Sequence, residues 1–179
     1  MLKGKSVILR PIRRSDLTDL VRWFNDQEVT QYLGQYLPMT EMAEQKWIED
    51  LGTARATSHV VLMIEATDGN GNKPIGDVGL ANINAKDHSA TFGIAIGEKD
   101  FWSKGYGTEA ARLVVNYGFE QLNLHRITSG AISFNERSLR MHRRIGFREE
   151  GRQREALFRN GRFHDLVMFG ILRDEWKGL

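Results

Sequence analysis

Apolar positions alternate with two different periods along this chain, and the switches between them mark its elements. Period-two or Val/Ile-rich runs predict strands over Ser6 to Ile12, Ser58 to Ala66, Pro74 to Asn84 and Ser89 to Ile96. Further strands are predicted over Arg126 to Phe134, Phe147 to Phe158 and Arg162 to Leu172. Leu17, Leu20, Val21 and Phe24 recur at helical spacing, so a helix runs from Ser15, as N-cap, to about Asp26. Thr40 is placed to cap a second helix reaching about Arg55. Ala110, Leu113, Val114, Val115, Tyr117 and Gly118 cover a wide face, which predicts a largely buried helix ending near Leu122. A last helix spans Asn135 to Ile145, with Gly146 at its C′ position. Gln27 to Met39, with Tyr32 and Tyr36, shows no regular period. Thr67 to Pro74 is a turn, and Asn160-Gly161 is a hairpin turn. The order βααβββαβαββ predicts an α+β fold: a mostly antiparallel sheet with helices on its faces.

One junction carries candidate chemistry. Phe101-Trp102-Ser103-Lys104-Gly105-Tyr106-Gly107-Thr108-Glu109 is a short polar loop that ends in two glycines and enters a helix. Glycines let backbone N–H groups approach a ligand, and a helix start adds orphan donors and the positive end of a dipole. Phosphate or pyrophosphate suits such a place. Gly105-x-Gly107-x-x-Ala110 formally matches a dinucleotide fingerprint, but that motif needs a strand running into its first Gly and an acid about 20 residues on. Here Glu98 to Lys104 is polar, and no acid lies between Gln121 and Asn135. No Gly-x-x-x-x-Gly-Lys-Ser/Thr spacing, which a P-loop requires, occurs in the chain.

Composition then narrows the classes. The 179 residues, 41% hydrophobic and 27% charged, fit one soluble domain, residues 1–179, with a sizeable core. No apolar run is long enough to span a membrane, and the N-terminus lacks a signal-peptide core, so a cytoplasmic protein is expected. The absence of Cys removes disulfides, thiolate metal sites and an acyl-cysteine intermediate, and the His residues lack metal-ligand spacing. The net charge of +2 hides an asymmetry: Arg126 to Arg162 holds ten Arg against four Glu, +6, leaving −4 elsewhere. Such a basic third suits nucleic acid, an acidic protein or a polyphosphate ligand, or is in part a solvated Arg-rich surface; without interleaved aromatics, nucleic acid is not expected as a partner.

The loop, Leu122-Asn123-Leu124-His125-Arg126-Ile127, Asn135-Glu136-Arg137-Ser138, Ile145-Gly146-Phe147 and the Arg159-Asn160-Gly161-Arg162 tail together resemble the GNAT superfamily of acetyl-CoA-dependent N-acetyltransferases. The match is to its ribosomal-protein and spermidine acetyltransferase branch. The resemblance implies the GNAT fold with a splayed pair of central strands, acetyl-CoA as cosubstrate, and direct attack by an amine in a ternary complex. It places pyrophosphate on Trp102, Lys104, Gly105, Tyr106, Gly107 and Thr108, where Trp102 replaces the usual Gln or Arg. Pantetheine would lie on the backbone of Ile94, Ala95 and Ile96, one of whose N–H groups would be the oxyanion donor, and against Asn135 and Ser138. Arg144 would reach the adenosine 3′-phosphate or face solvent. His142 stands where relatives have a Tyr that protonates the thiolate, and serves as that acid or as a packing residue. Asp77, Glu98, Asp26 and Glu28 are candidate bases, and Asp26, Glu28, Tyr32 and Asp77 are expected on the acceptor side. The acceptor is a protein N-terminus, a polyamine or a small aminated metabolite, and a homodimer is left open. The alternative reading is a non-catalytic acyl-CoA-binding regulatory module.

Overall fold

A computed structural model describes residues 1–52, 58–67 and 71–179. Its strands are β1 (Leu2–Lys3), β2 (Val7–Pro11), β3 (Val60–Thr67), β4 (Asn72–Asn84), β5 (Ser89–Ile96), β6 (Arg126–Ile132), β7 (Arg148–Arg159) and β8 (Arg162–Leu172). Its α-helices are α1 (Leu17–Phe24), α2 (Gln27–Thr30), α3 (Glu41–Leu51), α4 (Tyr106–Glu120) and α5 (Glu136–Ile145). The described strands form one eight-stranded sheet in the order β1-β2-β3-β4-β5-β6-β8-β7. Every neighbouring pair is antiparallel except β5 and β6.

The two faces of the sheet bury different sets of side chains. On one face α4 and α5 cover a large core that includes Leu80, Phe92, Val114, Phe119, Ile127 and Phe169. On the other, α1 and α3 cover a smaller core of Leu20, Trp23, Ile48 and Met63. Gly97 shows how closely α1 approaches: a Cβ there would lie 2.1 Å from the Trp23 ring. The entry into α1 is pinned by charge. Arg10 of β2 donates to both Asp16 carboxylate oxygens at 2.7 and 2.8 Å, and its Nε donates to Glu65 of β3 at 2.5 Å. Burial would push Asp16 up, but the Arg10 guanidinium and the Arg13 N–H outweigh it and hold its pKa below the usual carboxylate value.

Three readings need correction. Ser15 is not a helix N-cap: residues Arg14–Asp16 form a 3-10 turn, Asp16 is the N-cap position of α1, and α1 ends at Phe24. Arg10 draws the Asp16 carboxylate away from the α1 amides. The irregular stretch contains α2, which Asp26 starts by accepting from Glu28 N at 2.9 Å. Strand β1 escapes a periodicity reading because two residues carry no period. Helix α3 ends at Leu51, and the part expected towards Arg55 and most of the turn after Thr67 lie outside the described residues.

Asp16→Asn should leave the buried Arg10 with one carboxylate and cost about 3 kcal/mol. The measurement is a urea midpoint with unchanged slope. A loss well under about 1 kcal/mol, the scale of a surface pair, would show that the cluster does not hold α1.

Candidate active site

Strands β5 and β6 pair only through Ser89↔Arg126, Ala90↔Ile127 and Thr91↔Thr128. Beyond this β5 stays paired to β4 as far as Ile96, and β6 stays paired to β8 as far as Ile132. The sheet therefore opens in its middle. The direction of each β5 peptide follows from its ladder. Gly97 N donates to Ile75 O, so by antiparallel alternation Ala95 and Gly93 turn their N–H groups to β4. Ile94 and Ile96 turn theirs into the opening. Two bonds confirm the phase: Phe92 O accepts from Ser129 Oγ at 3.1 Å, and Ile96 O accepts from Trp102 Nε1 at 2.7 Å. Of the three strand residues expected to offer an oxyanion donor, Ala95 is thus ruled out and Ile94 and Ile96 remain.

A cleft of about 600 Å³ runs along this opening. One wall is the loop and helix start, with Trp102, Gly105, Gly107 and Thr108. Gly105 is the N-cap of α4 at φ 96°, a left-handed conformation that favours glycine. The first intrahelical bond there is Glu109 N to Gly105 O at 3.0 Å, so the Tyr106, Gly107 and Thr108 amides have no carbonyl one turn back. The other wall is α5, where Asn135 caps the helix by accepting from Ser138 N at 3.2 Å. Asn135, Ser138 and Arg144 line the cleft. Lys104 is exposed, and Tyr106 packs against Phe101 at 5.2 Å, and neither lines it.

His142 lies under the opening at 2% exposure, stacked on Phe169 at 4.6 Å and edge-on to Phe92 and Phe147. Its Nδ1 is 2.8 Å from Ser138 O, which can only accept, so Nδ1 carries a proton. In the neutral ring Nε2 is then an acceptor 2.8 Å from Ser129 Oγ, whose single proton is shared between Nε2 and Phe92 O. Burial lowers the His142 pKa, against a smaller opposing pull from Ser138 O. The imidazole thus meets the cleft through Ser129, a residue that periodicity did not single out. An isolated Ser on a strand has no signal until the opening gives it a neighbour.

The candidate acids separate sharply. Glu98 is held by Arg22, by Trp23 Nε1 at 2.9 Å and by Lys73 at 3.1 Å. Burial opposes its ionisation, but these donors bring its pKa down to about 2, so it is an anchor for α1. Asp26 and Glu28 both pair with Lys99, at 2.9 and 2.8 Å, and neither lines the cleft. Asp77 is different. It pairs in register with Ala95 and Met63, on the α1/α3 face, and its Oδ1 is buried with no partner among the described residues. Desolvation, with Glu44 as a second cause, raises its pKa to about 7. Glu44 of α3 is itself 2% exposed, has an unpartnered Oε1, and is raised by desolvation. The sequence reading missed it because helix α3 is polar over most of its length. Tyr32 of the segment after α2 also lines the cleft, packed edge-on to Trp102 at 6.2 Å and against Phe134 at 5.6 Å.

Residues 6–148 match the model of the acetyltransferase (GNAT) domain. An uncharacterised N-acetyltransferase, p20, of Bacillus licheniformis is 29% identical over 99% of this chain and 98% of its own. The spermidine N(1)-acetyltransferase of Escherichia coli K12 is 29% identical, over 98% of this chain and 91% of its own. Among solved structures, the spermidine N-acetyltransferase of Vibrio cholerae in complex with CoA and spermine superposes with a TM-score of 0.85 at 25% identity. That likeness covers 96% of this chain and 98% of the other. No described helix is long and apolar enough to cross a membrane.

The lowered pKa of His142 makes the unfolded state the stronger proton binder below pH 6.5, so His142 contributes stability that is lost as pH falls through that value. Asp77, with its raised pKa, acts in the opposite direction in wild type and variant alike. His142→Phe should therefore close part of its stability gap to wild type between pH 7 and pH 5. Thermal melts across that range test this, and a gap that stays constant would mean the ring does not titrate on unfolding.

Proposed function

The chain belongs to the acetyltransferase (GNAT) family, and from that premise we propose which of its atoms move the acetyl group of acetyl-CoA to an amine. The observation that carries the proposal is the parting of β5 and β6 with the Ile94 and Ile96 N–H groups facing the gap. Pyrophosphate sits on the amides of Gly105, Tyr106, Gly107 and Thr108, helped by the Thr108 hydroxyl. The pantetheine arm runs along the Asn135–Ser138 wall, with Arg144 towards the 3′-phosphate. The thioester lies in the opening, and its carbonyl oxygen accepts from Ile94 N–H, a fixed donor where negative charge develops.

The amine enters past Tyr32, Gly93 and Ala95. A free alkylamine has a pKa near 10, so presenting it neutral at pH 7 costs roughly 4 kcal/mol. Asp77, next to Ala95, takes that first proton, and Glu44 behind it keeps its pKa high enough to do so. The neutral amine then attacks the carbonyl carbon directly. The nitrogen loses its second proton through the Ser129 hydroxyl to His142 Nε2. As the C–S bond breaks and the amide carbonyl reforms, the same proton returns through Ser129 to the thiolate. His142 thus serves as the acid of the second step, with Nδ1–H held on Ser138 O throughout.

The acceptor is a primary amine, and a polyamine comes ahead of a protein N-terminus or a small aminated metabolite. Two relatives act on or bind polyamines, and unpaired carboxylates at Asp77 and Glu44 favour a cationic acceptor. An acceptor panel of spermidine, spermine, a peptide with a free N-terminus and an amino sugar, read by thiol release, tests this. Faster turnover of the peptide or the amino sugar would overturn the polyamine reading.

Ser129→Ala and His142→Phe should each lower kcat about 10²-fold, with acetyl-CoA affinity unchanged. Full rate in folded variants would remove the relay. Asp77→Asn should lower kcat/KM by a similar factor of about 10² and abolish an acid limb that in wild type falls away below about pH 7. A limb that survives the substitution assigns the base elsewhere. A Cβ at Gly107 would meet Ile96 and Ile94 at no closer than 3.5 Å, so Gly107→Ala should fold normally. It should nonetheless weaken CoA binding by about tenfold or more, a loss of roughly 1.4 kcal/mol, and unchanged affinity by calorimetry would move the pyrophosphate off this loop.

A further inference from the structure

Three cationic side chains line the cleft: Arg137, Arg140 and Arg144. They are not equivalent. Arg140 and Arg144 are exposed, and Arg140 pairs with Glu136 at 3.9 Å. Arg137 is half-buried in the first turn of α5, and among the described residues no carboxylate is in ion-pair range of it. Its guanidinium carbon lies 4.0 Å from the centroid of the Trp102 ring and 5.0 Å from that of Tyr32. Those rings attract the cation but accept none of its five in-plane N–H groups. Trp102 is itself fixed, because its Nε1 donates to Ile96 O at 2.7 Å.

A half-buried guanidinium without an anion is costly unless something charged completes it. Here the ring that positions it opens the Ser103–Thr108 loop, and α5 holds it on the wall opposite that loop. The loop contributes amides but no side-chain cation to the cleft, since Lys104 points outside it. We propose that Arg137 is a specificity-determining residue of the donor site: it holds the pyrophosphate of acetyl-CoA from the α5 wall while the α4 amides hold it from the other. A planar fork matches phosphate oxygens in pairs, which a lone ammonium does not. Trp102 then acts as the platform that keeps the fork in register. This assignment rests on acetyl-CoA occupying the cleft as set out above.

The test is calorimetry on the full chain with CoA, dephospho-CoA and pantetheine, a series that loses the 3′-phosphate and then the diphosphate together with the adenosine. Wild-type binding of CoA checks the occupancy of the cleft by itself. Arg137→Met should weaken CoA and dephospho-CoA alike, by about 10- to 100-fold, the range of a lost charge-assisted contact. Pantetheine binding, followed by its thermal shift at high concentration, should not change. Arg137→Gln keeps a planar head over Trp102 without the charge, should give the same pattern, and covers any failure of the Met variant to fold. Arg137→Lys should recover part of the loss. A loss confined to CoA assigns Arg137 to the 3′-phosphate, an equal loss with pantetheine makes it a packing residue, and no loss in a folded variant removes it from the site. Each of these three results overturns the proposal, and the first two leave the acetyl-CoA reading intact.

Discussion

Two strands that stop pairing inside a sheet leave backbone groups which must find other partners. After Thr91 and Thr128 the facing edges of β5 and β6 have no ladder. Side chains close the two ends of that gap: Ser129 donates to Phe92 O, and Trp102 donates to Ile96 O. Between these bonds the Ile94 peptide stays open to a ligand. His142 sits beneath the gap, where its stack on Phe169 and its bond to Ser129 hold β6 and α5 together. The cleft, its donors and its proton path all depend on this one interruption.

Charge is distributed around the opening with the same economy. Most acids near it are engaged by cations: Glu98 by Arg22 and Lys73, Asp26 and Glu28 by Lys99, and Asp16 by Arg10. Those pairs fasten α1 and α2 over one face of the sheet. Asp77 and Glu44 are set apart because desolvation dominates both and, among the described residues, neither has a cation against it. On the donor side Arg137 is the matching exception, a cation held by aromatic faces instead of a carboxylate.

The end of the cleft at Tyr32 is built by distant parts of the chain. Arg159, at the tip of the β7–β8 hairpin, donates to Leu33 O at 2.7 Å. Asn160 donates to Gln31 at 3.2 Å. His164 packs tilted against Phe134 at 4.5 Å, and Phe134 in turn lies 5.6 Å from Tyr32. The hairpin therefore braces the α2 segment and sets the position of Tyr32 at the mouth of the cleft.

Local rules in the sequence determined the strands, the long helices, the glycine loop and the capping Asn135, because periodicity, φ preference and helix ends are properties of neighbouring residues. The same is true of the family, whose signatures lie in short contiguous segments. Local rules failed where distant partners intervene. Ser15 lost its capping role once Arg10 claimed Asp16 and turned the α1 entry into a 3-10 turn. Among four equally plausible acids, nothing in the chain marked Asp77 as the unpaired one, since Glu98, Asp26 and Glu28 are distinguished only by the cations that fold against them. Ser129, Glu44 and Arg137 were likewise invisible, because each gains its role from a group brought near by the sheet or by helix packing. The sequence by itself determined which elements form and which donor they cradle. Only the tertiary structure decided which titratable groups remain unsatisfied, because desolvation and charge pairing depend on the whole surrounding volume and not on the order of residues.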